Sequence, residues 1–134
     1  MASIPLGFRH EESTLVTSEI AIDFMGIEDA RVLATPHLVW HLEMACRNAV
    51  KPLLDASQDT VGTVVNIKHL AATPLGMAVR FAAEVVAVDG RRLEFRVEAF
   101  DEQEKVAEGT HERFIVDMER FANRVRAKAG RPTV

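Results

Sequence analysis

Residues 34 to 50 read ATPHLVWHLEMACRNAV, and from Thr60 to about Val116 the chain alternates apolar and polar residues almost without interruption. This change of period, from about 3.6 residues to 2, constrains the fold more than any other feature. At about 100° per residue, Leu38, Leu42, Ala45, Cys46, Ala49, Val50 and Leu53 fall on one arc of a helix. Thr35 followed by Pro36 is an N-cap with proline at the first helical position. The helix is expected to run to about Leu54, with Pro52 disturbing its last turn.

The period-two stretches divide at turn signals. Val61, Thr63, Val65, Ile67 and His69 share one face of a long strand, with Gly62, Asn66 and Lys68 on the other. A second strand sets Met77, Val79, Phe81, Ala83, Val85 and Ala87 against Arg80 and Glu84, and ends at the Asp89-Gly90 hairpin signal. A third sets Leu93, Phe95, Val97 and Ala99 against Arg92, Glu94, Arg96 and Glu98. After the polar turn DEQEK, VAEGTHERFIV is a last strand. Before the helix, STLVTSEIAIDF (13–24) is rich in β-branched residues and is predicted as the first strand, with MGIEDARVLA an irregular connection. Met118, Phe121 and Val125 lie at helical spacing and predict a short helix closing the domain. The order is strand, long helix, four strands in meander fashion and a short helix. It implies a two-layer α+β domain, a five-stranded antiparallel sheet covered by one long helix.

A length of 134 residues, 48% of them hydrophobic, suits a single domain over 1–134, with 1–12 and 126–134 expected as flexible ends. The net charge of -4, with basic residues concentrated only in the last dozen positions, argues against nucleic acid as a partner. Cys46 is the sole cysteine, so neither an intrachain disulfide nor a thiolate metal cluster can form. No stretch has signal-peptide or transmembrane character. The expectation is a cytoplasmic protein without membrane association.

Glu43 is the anomaly of the helix, a carboxylate at the border of the apolar arc beside Val39 and Val50. His69 shares its strand face with Val65 and Ile67 and is expected to point toward the helix layer. The two would then meet at the edge of an apolar interface, offsetting each other's desolvation and tuning both for proton transfer. On this reading Glu43 adds nothing to packing, and Glu43→Gln should fold normally, even with a gain in stability.

The element order and the phrases ATPHLVWHLEMACRNAV, VGTVVNIKHLAATPLGM, DGRRLEFRVEAFDE and EGTHERFIV resemble the hot-dog fold, in the branch containing the fluoroacetyl-CoA thioesterases, over roughly residues 30 to 117. The most specific part is the spacing of Thr35, Glu43 and His69, supported by Gly62 and by THERF. The resemblance implies an acyl-CoA thioesterase that needs no cofactor or metal and acts on a small or medium acyl group. Thr35, Glu43 and His69 would carry the chemistry, Glu43 as nucleophile or as the base that activates water. Gly62 would let substrate approach its strand, Arg113 would brace the site electrostatically, and the chain would form a homodimer with the site near the interface. Family members specific for fluoroacetate close the site with phenylalanines just upstream of the helix. GIEDARVLA has no aromatic residue and Phe24 lies farther off in sequence, so a different acyl-CoA is expected here.

Other readings of these residues stay open. Glu43 could be a solvated border residue, His69 a satisfied half-buried histidine, Gly62 a plain bulge, and Arg113 one member of the charged pattern with Glu108 and Glu112. His37 and His41 have the i, i+4 spacing of a zinc pair but lack an evident third ligand. Cys46 lies in the apolar arc as a core filler. A hot-dog protein that binds acyl-CoA or another apolar ligand without catalysis, or a hot-dog hydratase or dehydratase, remains an alternative function.

Overall fold

The structure, a computed structural model, describes residues 3–134. Strand β1 (Arg9–Leu15) precedes helix α1 (Thr35–Val50), followed by β2 (Gln58–His69), β3 (Ala78–Asp89), β4 (Arg92–Phe100), β5 (Lys105–Asp117) and helix α2 (Met118–Lys128). All strand pairs are antiparallel, in the spatial order β1-β3-β4-β5-β2. Helix α1 packs against every strand of this sheet, the arrangement expected of a hot-dog domain. Only β3, β4 and β5 form the expected meander. The chain crosses the sheet between β1 and β2, so these two occupy opposite edges and β2 pairs with β5 rather than with β3.

The apolar arc of α1 is buried as its spacing requires, with Leu38, Leu42, Ala45, Cys46, Ala49 and Val50 inaccessible to solvent or nearly so. They meet the inward residues Val79, Phe81, Ala83 and Val85 of β3 and Leu93, Phe95, Val97 and Ala99 of β4. Each large side chain in this layer contributes about 1.5–3 kcal/mol of burial. Pro52 lies in a short 3-10 turn, Lys51–Leu53, which follows α1 directly.

Three expectations are corrected. Ala34, not Thr35, is the N-cap residue of α1, and Thr35 opens the helix with its hydroxyl directed elsewhere. The first strand lies at Arg9–Leu15 rather than 13–24, so β1 begins inside the segment expected to be a flexible end, and α2 likewise takes in Arg126–Lys128. The inward positions of β1 are His10, Glu12 and Thr14, which carry no hydrophobic signal. Glu12 is instead bound by Asn48 of α1 and by His10, each at 2.7 Å. Helix α2 contributes no buried residue and lies along β5 rather than closing the core.

The feature that positions the site is a β-bulge in β2 between Gly62 and Val64. Before it, Thr60 and Gly62 face the helix layer; beyond it Val65, Ile67 and His69 do, opposite His111, Gly109 and Ala107 of β5. One extra residue therefore puts Gly62 and His69 on the same face. The uninterrupted alternation read from the sequence had separated them. Val61, grouped with His69 on that reading, faces outward opposite the exposed Phe114.

Candidate active site

The inner face of β5 carries two polar residues where apolar ones would be the norm. Both His111 and Arg113 are buried, Arg113 with only 3% of its surface accessible. Arg113 lies opposite Gly62 and points inward, so it is not a member of the exposed charged pattern of that strand. Thr60 takes two of its hydrogen bonds, from Nε to the hydroxyl at 2.6 Å and from Nη2 to the carbonyl at 2.8 Å. Its Nη1 lies 3.1 Å from Nε2 of His111 and 3.4 Å from Oε2 of Glu43. Burial draws the guanidinium below its ordinary pKa and Glu43 pulls it back up. A buried cation thus meets the helix-border carboxylate, which keeps 26% of its side chain exposed.

Gly62 forms the floor beneath Glu43. A Cβ placed there would stand 2.7 Å from Oε2 of Glu43 and 3.2 Å from Cε1 of His111. The missing side chain is what lets the carboxylate lie over β2 next to Arg113.

Thr35 and His69 form a second group, with the hydroxyl 2.8 Å from Nδ1 of the imidazole. The first turn of α1 and the last residue of β2 supply the two partners. Nε2 of His69 is closed to solvent and makes no hydrogen bond among the described residues. Burial holds this imidazole below its ordinary pKa, while the Ala71 backbone pulls weakly the other way. Thr35 and His69 border an open cleft with Ile22, Phe24, Val32, Leu33 and Leu70. Phe24, remote from the helix in sequence, reaches the cleft because the segment before α1 folds back on itself. Ile22 N–H donates to the Val32 carbonyl at 2.9 Å, and Arg31 clamps the Ile22 and Ser18 carbonyls at 3.0 and 2.9 Å.

Glu43 and His69 do not meet within one chain. Eight residues of α1 separate Thr35 from Glu43, about 12 Å of helix. Seven residues of β2 separate Gly62 from His69, about 23 Å of strand. The carboxylate is paired with Arg113 and the imidazole with Thr35. Sequence reasoning missed His111, whose alternation with Glu112 and Arg113 looks like an exposed charged run until the strand's inward phase is known.

The remaining candidates have structural partners. His41 stacks on Phe81, with ring centroids 5.1 Å apart and 14° between planes. No group of three or more metal-ligating side chains occurs among the described residues. Cys46 is fully buried, and burial pushes its thiol far up, away from the reactive thiolate. No described helix is long and apolar enough to cross a membrane.

Comparison with known proteins aligns residues 15–119 with the family described as fluoroacetyl-CoA-specific thioesterase. The fluoroacetyl-CoA thioesterase of Streptantibioticus cattleyicolor is 41% identical over 101 residues, covering 75% of this chain and 73% of that protein. A solved structure of the fluoroacetyl-CoA thioesterase FlK superposes with a TM-score of 0.86 at 33% identity, covering 94% of this chain and 98% of that one. A thioesterase-superfamily protein of Thermus thermophilus gives a TM-score of 0.87 at 30% identity, over 97% and 96% of the two chains.

Proposed function

The chain belongs to the fluoroacetyl-CoA-specific thioesterase family and is a thioester hydrolase, and on that premise we propose that it cleaves a small or medium acyl-CoA with Thr35, Glu43 and His69. The observation that carries this reading is the seat of Glu43. A partly exposed carboxylate lies over a strand position that has no side chain and is held there by a buried arginine. Such a group can add to a thioester carbonyl or take a proton from a water that does so. Where Glu43 adds, the carbon–sulfur bond breaks to leave a mixed anhydride on the carboxylate, which one water then hydrolyses. Where Glu43 activates water, the bond breaks directly. On either route CoA leaves as its thiol after taking up a proton and the acyl group leaves as a carboxylic acid. His69 is the proton carrier at the sulfur, since its Nε2 has no hydrogen-bond partner among the described residues and Thr35 fixes the ring through Nδ1. The apolar rim of Ile22, Phe24, Val32, Leu33 and Leu70 suits a small or medium acyl group, and with Phe24 on it the cleft does not lack the aromatic residue whose absence had argued against fluoroacetyl.

The separation of the two groups within one chain supports a homodimer. Strand β2 is a sheet edge, and Gly62, Thr63, Val64, Val65 and Asn66 are all exposed along it. An antiparallel pairing of two β2 strands about a two-fold near Val65 and Asn66 sets Gly62 of one protomer across from His69 of its partner. Each site would then combine Glu43 of one protomer with Thr35 and His69 of the other. A cytoplasmic location, with acyl-CoA as the ligand and neither nucleic acid nor membrane as a partner, is part of the same proposal.

The deciding assay is thiol release across short, medium, branched and aryl acyl-CoAs, run beside light scattering. The proposal expects a dimer that turns over at least one of them, with turnover abolished in Glu43→Gln while a non-hydrolysable thioether analogue still binds. Binding without turnover by the unaltered protein would make it an acyl-CoA-binding module instead. A monomer that is fully active would refute the shared site.

A further inference from the structure

We propose that His111 is the positioning residue of this site: its ring couples the β2 bulge to the Arg113–Glu43 ion pair and thereby sets where the Glu43 carboxylate stands. The proposal rests on the reading of Glu43 as the group that acts on the thioester.

The ring spans two strands and is almost wholly buried, at 1% exposure. On one side Nδ1 lies 2.7 Å from the carbonyl of Val64, the residue that follows the bulge. A carbonyl only accepts, so Nδ1 carries the proton and the neutral ring presents a lone pair at Nε2. That lone pair faces Nη1 of Arg113 at 3.1 Å and accepts its N–H. The same Nη1 is the atom nearest Glu43, at 3.4 Å from Oε2, whereas Nε2 itself stands 3.9 Å from that oxygen. The Phe95 ring, with centroids 6.4 Å apart and 30° between planes, packs against the imidazole and holds its orientation.

This geometry leaves Nη1 of Arg113 with two acceptors, His111 and Glu43, while Thr60 anchors the far side of the guanidinium at Nε and Nη2. A guanidinium is planar and rigid, so contacts at three of its nitrogens define its position completely. With Nε2 of His111 removed, the fork remains attached to Thr60 but its Nη1 end is free to rock, and Glu43 follows the charge. The arrangement needs the neutral ring, because a proton on Nε2 would set donor against donor beside Arg113. Burial and the charge of Arg113 favour that neutral form, and the Val64 carbonyl, Glu43 from α1 and Glu112 oppose it. An apolar side chain of similar size would fill the same space and hold none of this. That difference separates a positioning role from mere packing.

Two substitutions divide the functions of the ring. Asn reaches only the place of Nδ1 and keeps a donor for the Val64 carbonyl. Gln reaches farther and puts a carbonyl oxygen where Nε2 stood. His111→Asn should lower kcat on the order of 10- to 100-fold with KM little changed, since a catalytic group displaced by a fraction of an ångström loses that much. His111→Gln should keep kcat within about 5-fold on the same grounds. In ¹⁵N spectra of the arginine side chains, the Nη1 signal of Arg113 should show hindered rotation in the unaltered protein and in His111→Gln and averaged rotation in His111→Asn, with Nη2 hindered on Thr60 in all three. Equal loss of kcat in both variants, or a hindered Arg113 Nη1 in His111→Asn, overturns the proposal. The unaltered protein gives a test that needs no variant: long-range ¹H–¹⁵N correlations should find His111 protonated at Nδ1 and bare at Nε2, and the opposite tautomer refutes the coupling. If no acyl-CoA is hydrolysed at all, the thioesterase reading fails, and these spectra still decide whether His111 holds Arg113.

Discussion

Gly62→Ala tests the seat of Glu43 with a single methyl group. The added Cβ would stand 2.7 Å from Oε2 of Glu43, 3.2 Å from Cε1 of His111 and 3.4 Å from Nη1 of Arg113. His111 and Arg113 are held on several sides and can yield only a little, whereas the carboxylate is the free end of a flexible side chain. Glu43 therefore retreats by about 0.5–1 Å to reach ordinary carbon–oxygen contact, and its link to Arg113 lengthens. The cost in stability is small. Ala gains about 0.5–1 kcal/mol over Gly in a strand interior, and the weakened, partly exposed ion pair gives back a similar amount. The net change should stay within about 1 kcal/mol, a shift in Tm of only a few degrees. The cost in rate is large, because a misplacement of this order lowers turnover about 100-fold, or about 2.7 kcal/mol of transition-state stabilisation. Thiol release by the purified variant gives the rate, and scanning calorimetry gives Tm. A folded Gly62→Ala with the kcat/KM of the unaltered protein would refute the argument, because the carboxylate would then work from a different position.

Glu43→Gln should now cost stability, about 1 kcal/mol in denaturant titration, because the buried Arg113 loses its counter-charge; a more stable variant would mean that the ion pair is not formed in solution. His69→Ala should lower kcat by roughly 10² to 10⁴-fold while an acyl-CoA thioether analogue binds nearly as before, and an unaltered rate would remove His69 from the mechanism. Burial lowers the pKa of His41, His69 and His111, so the unfolded chain binds more protons than the folded one as pH falls below about 6.5. Tm should therefore drop on acidification from pH 7 to 5, and a rise over that range would show the imidazoles to be charged when folded. Thr35→Val removes the bond to Nδ1 of His69 and should reduce kcat about 10-fold or more, with Thr35→Ser restoring most of it; equal activity in both would leave the hydroxyl without a role.

Much of this was legible along the chain. The apolar arc of α1 was readable to the residue because helical periodicity is local, and the Asp89-Gly90 turn with its flanking alternation fixed β3 and β4. Glu43 and His69 stood out because polar side chains at the edge of apolar patterns carry a cost that a plain scaffold avoids, whereas Thr35 read only as a helix cap and became a site candidate through the family resemblance. The edge strand β1 escaped because its inward residues are His10, Glu12 and Thr14, which hydrogen bonds rather than burial retain. Glu43→Gln, read from the sequence as harmless to stability, changes sign once Arg113 is found beneath the carboxylate.

Local pattern thus determined by itself the two helices and strands β2 to β5, which face of α1 is buried, and that Glu43 is chemically out of place on it. Tertiary structure alone decided how those residues are shared out: Glu43 with Arg113 and His111, Thr35 with His69, and Phe24 on the rim beside them. For Gly62 beneath Glu43 and His69 beside Thr35 the physical reason is the bulge between Gly62 and Val64, and for Phe24 it is the folding back of the segment before α1. Side-chain direction in a strand has a period of two, so one unpaired residue reverses the face of everything beyond it. The position of that residue is set by pairing with β5, a strand some fifty residues away in the chain.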